Sequence, residues 1–165
     1  MKITALAAVL AALAACAHPK TTVEYSANMD LGGYHRIAVL PFTDTKGRGR
    51  QIAAAVIKGL PARGFEAPDA KLIESVFSKF KLDKEVGLGI NELSEIRSTT
   101  KSQAILVGNV EPGETRVTVL LLDTDLGDEI FKATLVPRHK GSFASVAEIS
   151  DEALTLFGEL PKRQL

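Results

Sequence analysis

Two uninterrupted apolar runs, Ile37-Ala38-Val39-Leu40-Pro41-Phe42 and Ala104-Ile105-Leu106-Val107-Gly108, constrain this chain more than any other feature. Each is bounded by polar residues and shows no alternation, the pattern of a strand covered on both faces. Pro41 sets the end of the first near Leu40, because proline has no N–H for a ladder. Between the runs the apolar period lengthens to that of a helix. Ile52, Ala53, Val56, Ile57 and Leu60 share one helical face, closed by Gly59 and Pro61. Phe65 to Ala67 reads as a short second strand. Asp69 is placed to cap a helix carrying Leu72, Ile73, Val76, Phe77 and Phe80. Gly87 and Gly89 interrupt, and Asn91 is placed to cap another helix through Leu93 and Ile96.

The second half changes character. Residues 116–122 and 129–136 read as strands joined by the hairpin turn Asp123-Thr124-Asp125-Leu126-Gly127-Asp128. Phe131, Ala133 and Leu135 alternate with Lys132 and Thr134, so this strand has one wet face. Phe143, Val146, Ile149, Ala153, Leu156, Phe157 and Leu160 trace a last amphipathic helix, with a break expected near Ser150. The order is β-α-β-α-α-β-β-β-α. It predicts an α/β fold with a mixed sheet and packed helices, opening on a right-handed parallel crossover and ending in an antiparallel meander.

The front of the chain is different again. Met1-Lys2 leads into an almost wholly apolar run that ends in Leu13-Ala14-Ala15-Cys16, the plan of a secretion signal over residues 1–15. About 13 apolar residues are too few to cross a bilayer core. The last four residues resemble the lipobox of bacterial lipoproteins, which implies that Cys16 is lipidated and becomes the first residue of the mature chain. Two or more acyl chains give stable anchoring. Ala17 is not the aspartate that resembles an inner-membrane retention signal, so the expected location is the periplasmic face of the outer membrane. Residues 16–30 read as the lipidated N-terminus and a tether, with Val23 and Tyr25 able to lie against the fold. Residues 31–165 read as a single α/β domain, preceded by a turn at Asp30-Leu31-Gly32-Gly33. With one cysteine in the chain, no disulfide is available once Cys16 carries lipid. About 150 mature residues suffice for one ordinary core.

Twenty Lys and Arg balance twenty Asp and Glu, which leaves no basic field of the kind nucleic-acid binding needs, so no nucleic-acid partner is expected. Candidate chemistry is sparse. Lys46-Gly47-Arg48-Gly49-Arg50 lies between a strand and a helix, where backbone amides can hold phosphate. It fits neither the P-loop nor G-x-G-x-x-G, since Ile52 takes the third glycine's place. Lys46, Arg48 and Arg50 therefore read as a solvated loop or as a contact for an anion or acidic partner. Asp123, Asp125, Asp128 and Glu129 lack the glycine and glutamate of a calcium loop. His18, His35 and His139 have no metal-ligand spacing. No serine lies in G-x-S-x-G. Neither a cofactor, a metal nor catalysis is expected.

Tyr34-His35-Arg36-Ile37-Ala38-Val39-Leu40-Pro41-Phe42, Gly64-Phe65, Ala104-Ile105-Leu106-Val107-Gly108-Asn109-Val110, Leu121-Leu122-Asp123 and Gly127-Asp128-Glu129 together resemble the CsgG-like family of periplasmic lipoproteins. Its relatives include the lipoprotein activators of penicillin-binding proteins and the N-terminal domain of TolB. The resemblance covers residues 34–136. It implies a non-enzymatic α/β domain for envelope assembly, adaptor or activator work through contact with an envelope protein or through self-association. The curli pore subunits look longer and insert extra hairpins, and no pair of segments here has the length and alternation of a membrane-spanning strand pair. A component of a curli-type secretion complex and a small-ligand sensor using the 46–50 loop are the alternatives.

Overall fold

The apolar runs are unbroken because helices cover both faces of their strands. The computed structural model describes residues 20–26, 33–80 and 88–159. The signal run, Cys16, His18, the turn from Asp30 to Gly32, Gly87, Leu160 and the side chains of Phe77 and Phe80 lie outside the described set. The strands are β1 (Thr22–Tyr25), β2 (Ile37–Val39), β3 (Ala104–Val110), β4 (Val117–Asp123) and β5 (Glu129–Leu135), and the helices are α1 (Gly49–Gly59), α2 (Ala70–Phe80), α3 (Ile90–Thr100) and α4 (Val146–Glu159). The sheet runs β1-β5-β4-β3-β2. β2 and β3 are parallel, with Ala38 opposite Ile105, and the other pairs are antiparallel. The expected mixed α/β architecture with its antiparallel meander is the observed one, but the parallel opening, expected between the strand at Ile37 and the stretch at Phe65, is formed by β2 with β3 instead.

Ile37 and Val39 point to the face covered by α1 and α4, where Ile52, Val56, Ile149, Ala153 and Phe157 meet Leu106, Val119, Phe131 and Leu135. Ala38, Leu40 and Ile105 point to the other face, against Ile73 and Val76 of α2 and Leu93 and Ile96 of α3. Among the described residues the second helical layer thus reaches only β2 and β3. That is why those strands read as continuous runs while β4 and β5 alternate. Phe157 packs edge-on to Phe65 and Phe131, with ring centroids 5.3 and 6.2 Å apart. Among the described residues no helix is long and apolar enough to cross a membrane.

Four details differ from the expectation. The strand at Phe65 to Ala67 shrinks to one parallel bridge between Arg36 and Glu66. The chain reaches it from a 3-10 turn, Leu60–Arg63, closed by left-handed Gly64, and Pro68 cannot donate onward. Pro61 accordingly begins that turn rather than ending α1. The fifth strand comes instead from the stretch read as a tether: Thr22–Tyr25 pairs with β5, Val23 facing Ala133. α3 starts after Gly89 with no side-chain cap, so Asn91 lies inside the helix. Finally, α4 runs unbroken through Ser150, whose hydroxyl donates to the Val146 carbonyl at 2.7 Å, an internal bond that satisfies the buried group without breaking the helix. Asp69 caps α2 as expected, its Oδ1 accepting from the Lys71 N–H at 2.8 Å.

Candidate functional site

The 46–50 loop is built around a buried carboxylate. Chain direction brings it to one end of the sheet, since β2 runs out toward Thr43, which bridges Asn109 near the end of β3. Asp44 follows at once and is 4 % exposed. Its Oδ2 accepts from the Arg48 backbone N–H at 2.9 Å and from Arg48 Nε at 3.0 Å, and its Oδ1 accepts from the Lys46 N–H at 3.3 Å. Glu114, in the β3–β4 turn and also buried, accepts from Lys46 Nζ at 2.6 Å and from Arg48 Nη2. Burial raises the Asp44 pKa, but the hydrogen bonds from the Arg48 side chain and from the Arg48 and Lys46 backbone, with the guanidinium charge, outweigh it and hold the carboxyl below its ordinary value.

The loop is therefore cross-braced. Gly49 must be glycine because a Cβ there would overlap the Phe42 carbonyl, and Gly108 leaves the space that the Phe42 ring fills. The structure brings Lys46 and Arg48 together through Glu114 and Asp44. It places Arg50 apart, 80 % exposed at the side chain, paired with Glu74 of α2 at 3.2 Å. Reasoning from sequence passed over Asp44 and Glu114. Asp44 carried a signal, four residues before Arg48; Glu114 carried none, because its partners are 66 and 68 positions away.

The β5–α4 connection closes the same end. The Phe143 N–H donates to the Glu114 carbonyl at 2.9 Å. Arg138 pairs with buried Glu152, and His139 Nε2 lies 3.3 Å from Glu148. The Ser145 hydroxyl accepts from the Glu148 N–H at 3.2 Å, while Glu148 accepts from the Ala144 N–H at 2.7 Å. This reciprocal capping arrangement at the start of α4 is spelled Ser-x-x-Glu in the sequence.

At the opposite end, Asp123 organises the hairpin turn. Its Oδ1 accepts from the N–H groups of Asp125 and Leu126 at 2.6 and 2.9 Å, and its Oδ2 accepts from the Tyr34 hydroxyl at 2.9 Å. Gly127 adopts the left-handed φ of 76° that closes the turn. Asp125 pairs with Arg97 of α3. Among the described residues no three His, Cys, Asp or Glu side chains are grouped to hold a metal ion.

No protein-family model and no curated protein sequence matches the chain. Solved structures do. A variant of PelC from Paraburkholderia phytofirmans, solved as a dodecamer, is similar at TM-score 0.51 and 16 % identity over 87 % of this chain and 99 % of that one. The lipoprotein GNA1162 from Neisseria meningitidis gives TM-score 0.48 and 16 % identity over 76 % and 99 %. LpoB from E. coli gives TM-score 0.49 and 14 % identity over 64 % and 59 %. The chain shares the mixed α/β fold of PelC.

Proposed function

We propose that the chain is a periplasmic lipoprotein, anchored through Cys16 to the inner leaflet of the outer membrane, that works as a non-enzymatic adaptor or activator domain by touching another envelope protein. The observation that carries this reading is Leu13-Ala14-Ala15-Cys16 at the end of a signal-like run, a few residues before the first strand. Residues 1–15 are then removed, and the mature α/β domain starts at β1 rather than after residue 30. The cross-bracing of Lys46 and Arg48 by Glu114 and Asp44 supports a scaffold rather than a reactive centre, since both cations already serve the fold. The resemblance over residues 34–136 supports envelope assembly or activation as the task.

Self-association is the second reading, favoured by the fold shared with PelC, which was solved as a dodecamer. Crosslinking in cells followed by mass spectrometry of the recovered protein separates the two. A reproducible heterologous envelope partner is the expected result, and a ladder of self-crosslinks supports the second reading. Recovery of monomer alone, with tight nucleotide or phosphate binding abolished by Arg48→Ala and Arg50→Ala, overturns both in favour of a ligand sensor.

A further inference from the structure

Charge is unevenly distributed along the strand axis. One end carries Asp123, Asp125, Asp128 and Glu129 on a single hairpin, with Arg97 of α3 paired to Asp125 and exposed Lys101 following α3 at the same end. The other gathers segments distant in sequence: the 43–49 loop, the β3–β4 turn, the β5–α4 connection and the start of β1. Their proximity is fixed by the Thr43–Asn109 bridge, by the bond from Phe143 N–H to the Glu114 carbonyl, and by the bond from Val136 N–H to Thr21 Oγ1 at 3.4 Å. Lys20, Lys46, Arg116, Arg138 and Lys140 all stand exposed there. The carboxylates of these segments lie deeper, and exposed Asp151 stands beyond them in the second turn of α4. Asp44 and Glu114 are buried behind Arg48 and Lys46, Glu152 is buried behind Arg138, and Glu111 and Glu148 are half-buried. Among the described residues of these four segments the exposed charge is therefore positive, although the chain as a whole is neutral.

The same end is where the chain arrives from Cys16. Lys20 follows Cys16 by only four positions, a reach of at most about 14 Å even when fully extended. A domain held that close keeps its cationic end within roughly a Debye length or two of the headgroups. Resting on the anchoring proposed above, we propose that this end is a membrane-docking surface, on which Lys20, Lys46, Arg116, Arg138 and Lys140 meet the phosphates of anionic phospholipids in the bilayer that holds Cys16. Docking sets the domain's orientation. The strand axis stands across the membrane surface and the acidic hairpin, with exposed Leu126 at its tip, faces away into the periplasm.

The test uses the lipidated protein purified from membranes and reconstituted on vesicles of phosphatidylethanolamine with phosphatidylglycerol, or of phosphatidylcholine alone. Flotation with both vesicle types, together with the acyl mass on Cys16, reports the anchor. Hydrogen exchange at residues 44–48, 113–116 and 138–142 reports the surface. Exchange there should slow by roughly fivefold or more on the anionic vesicles only, a factor in keeping with the contribution of one basic residue at such a surface. Arg116→Glu with Lys140→Glu, both outside the buried ion-pair cluster, should abolish the slowing, whereas Asp128→Lys at the far end should leave it unchanged. Equal exchange on the two vesicle types overturns the docking surface while leaving the anchor intact. Protection reproduced by inorganic phosphate on phosphatidylcholine at matched ionic strength also overturns it, since that marks a small-anion pocket. Failure to float overturns the anchor on which the placement rests.

Discussion

Asp44 shows how one residue converts a loop rich in glycine and cations into a fixed corner. Its carboxylate takes two backbone N–H groups and a guanidinium that a solvated loop would leave to water. Its pKa is held below the ordinary aspartate value, about 3.9, so its contribution to stability is complete above that value. That contribution is lost as pH falls through the lower folded-state value. Replacing it with asparagine should cost about 1.5 to 3 kcal/mol near neutral pH, the range for a hydrogen bond to a charged group. The variant should also lose less further stability than the parent across the acid window. Denaturation midpoints measured against pH check both parts. Parallel pH curves for the two proteins would mean that another carboxylate carries the acid sensitivity.

The informative elements are those whose boundaries moved. α3 begins at Ile90 because Gly89 sits in an extended conformation just before it, while Asn91, which has the chemistry of a cap, is two residues too late to serve. α4 has a reciprocal Ser145 and Glu148 cap, which accounts for its clean start after the irregular connection. β3 is the central structural commitment: it pairs with β2 on one side and β4 on the other, and Leu106 is fully buried among α1, α4 and the sheet. Leu106→Ala should cost roughly 2 to 5 kcal/mol, the range for deleting a buried leucine. Thermal denaturation checks it, and an unchanged midpoint would remove β3 from the core.

For the whole molecule, the decisive question is attachment. β1 lies at the sheet edge and begins six residues after Cys16, so an anchored domain has little slack. Cys16→Ser should shift the protein from the membrane fraction to the soluble periplasm or leave the signal run uncleaved. Fractionation followed by intact mass measurement checks this. An acylated mature form persisting in the variant would rule out Cys16 as the anchor. The edge position also explains why β1 is hard to read locally. Thr22-Val23-Glu24-Tyr25 is short and mostly exposed, and its reason to be a strand is the open side of β5.

The sequence by itself determined whatever depends on local periodicity and steric rules. The doubly covered runs at Ile37 and Ala104, the alternation of β5, the helical faces of α1 and α4, the Asp69 cap and the hairpin at Asp123 all follow from side-chain spacing or turn chemistry within about ten residues. Only the tertiary structure decided the rest. Thr22–Tyr25 became a strand because β5 offers unpaired backbone groups, and Phe65 to Ala67 did not because a 3-10 turn and Pro68 leave room for one bridge. The 46–50 loop was legible as cationic but not as pinned, since Glu114 reaches it only after β3 has crossed the molecule. The gathering of Lys20, Lys46, Arg116, Arg138 and Lys140 at one end was equally hidden. Strand direction, set by pairing between distant segments, determines which loops share an end, and no local pattern encodes it.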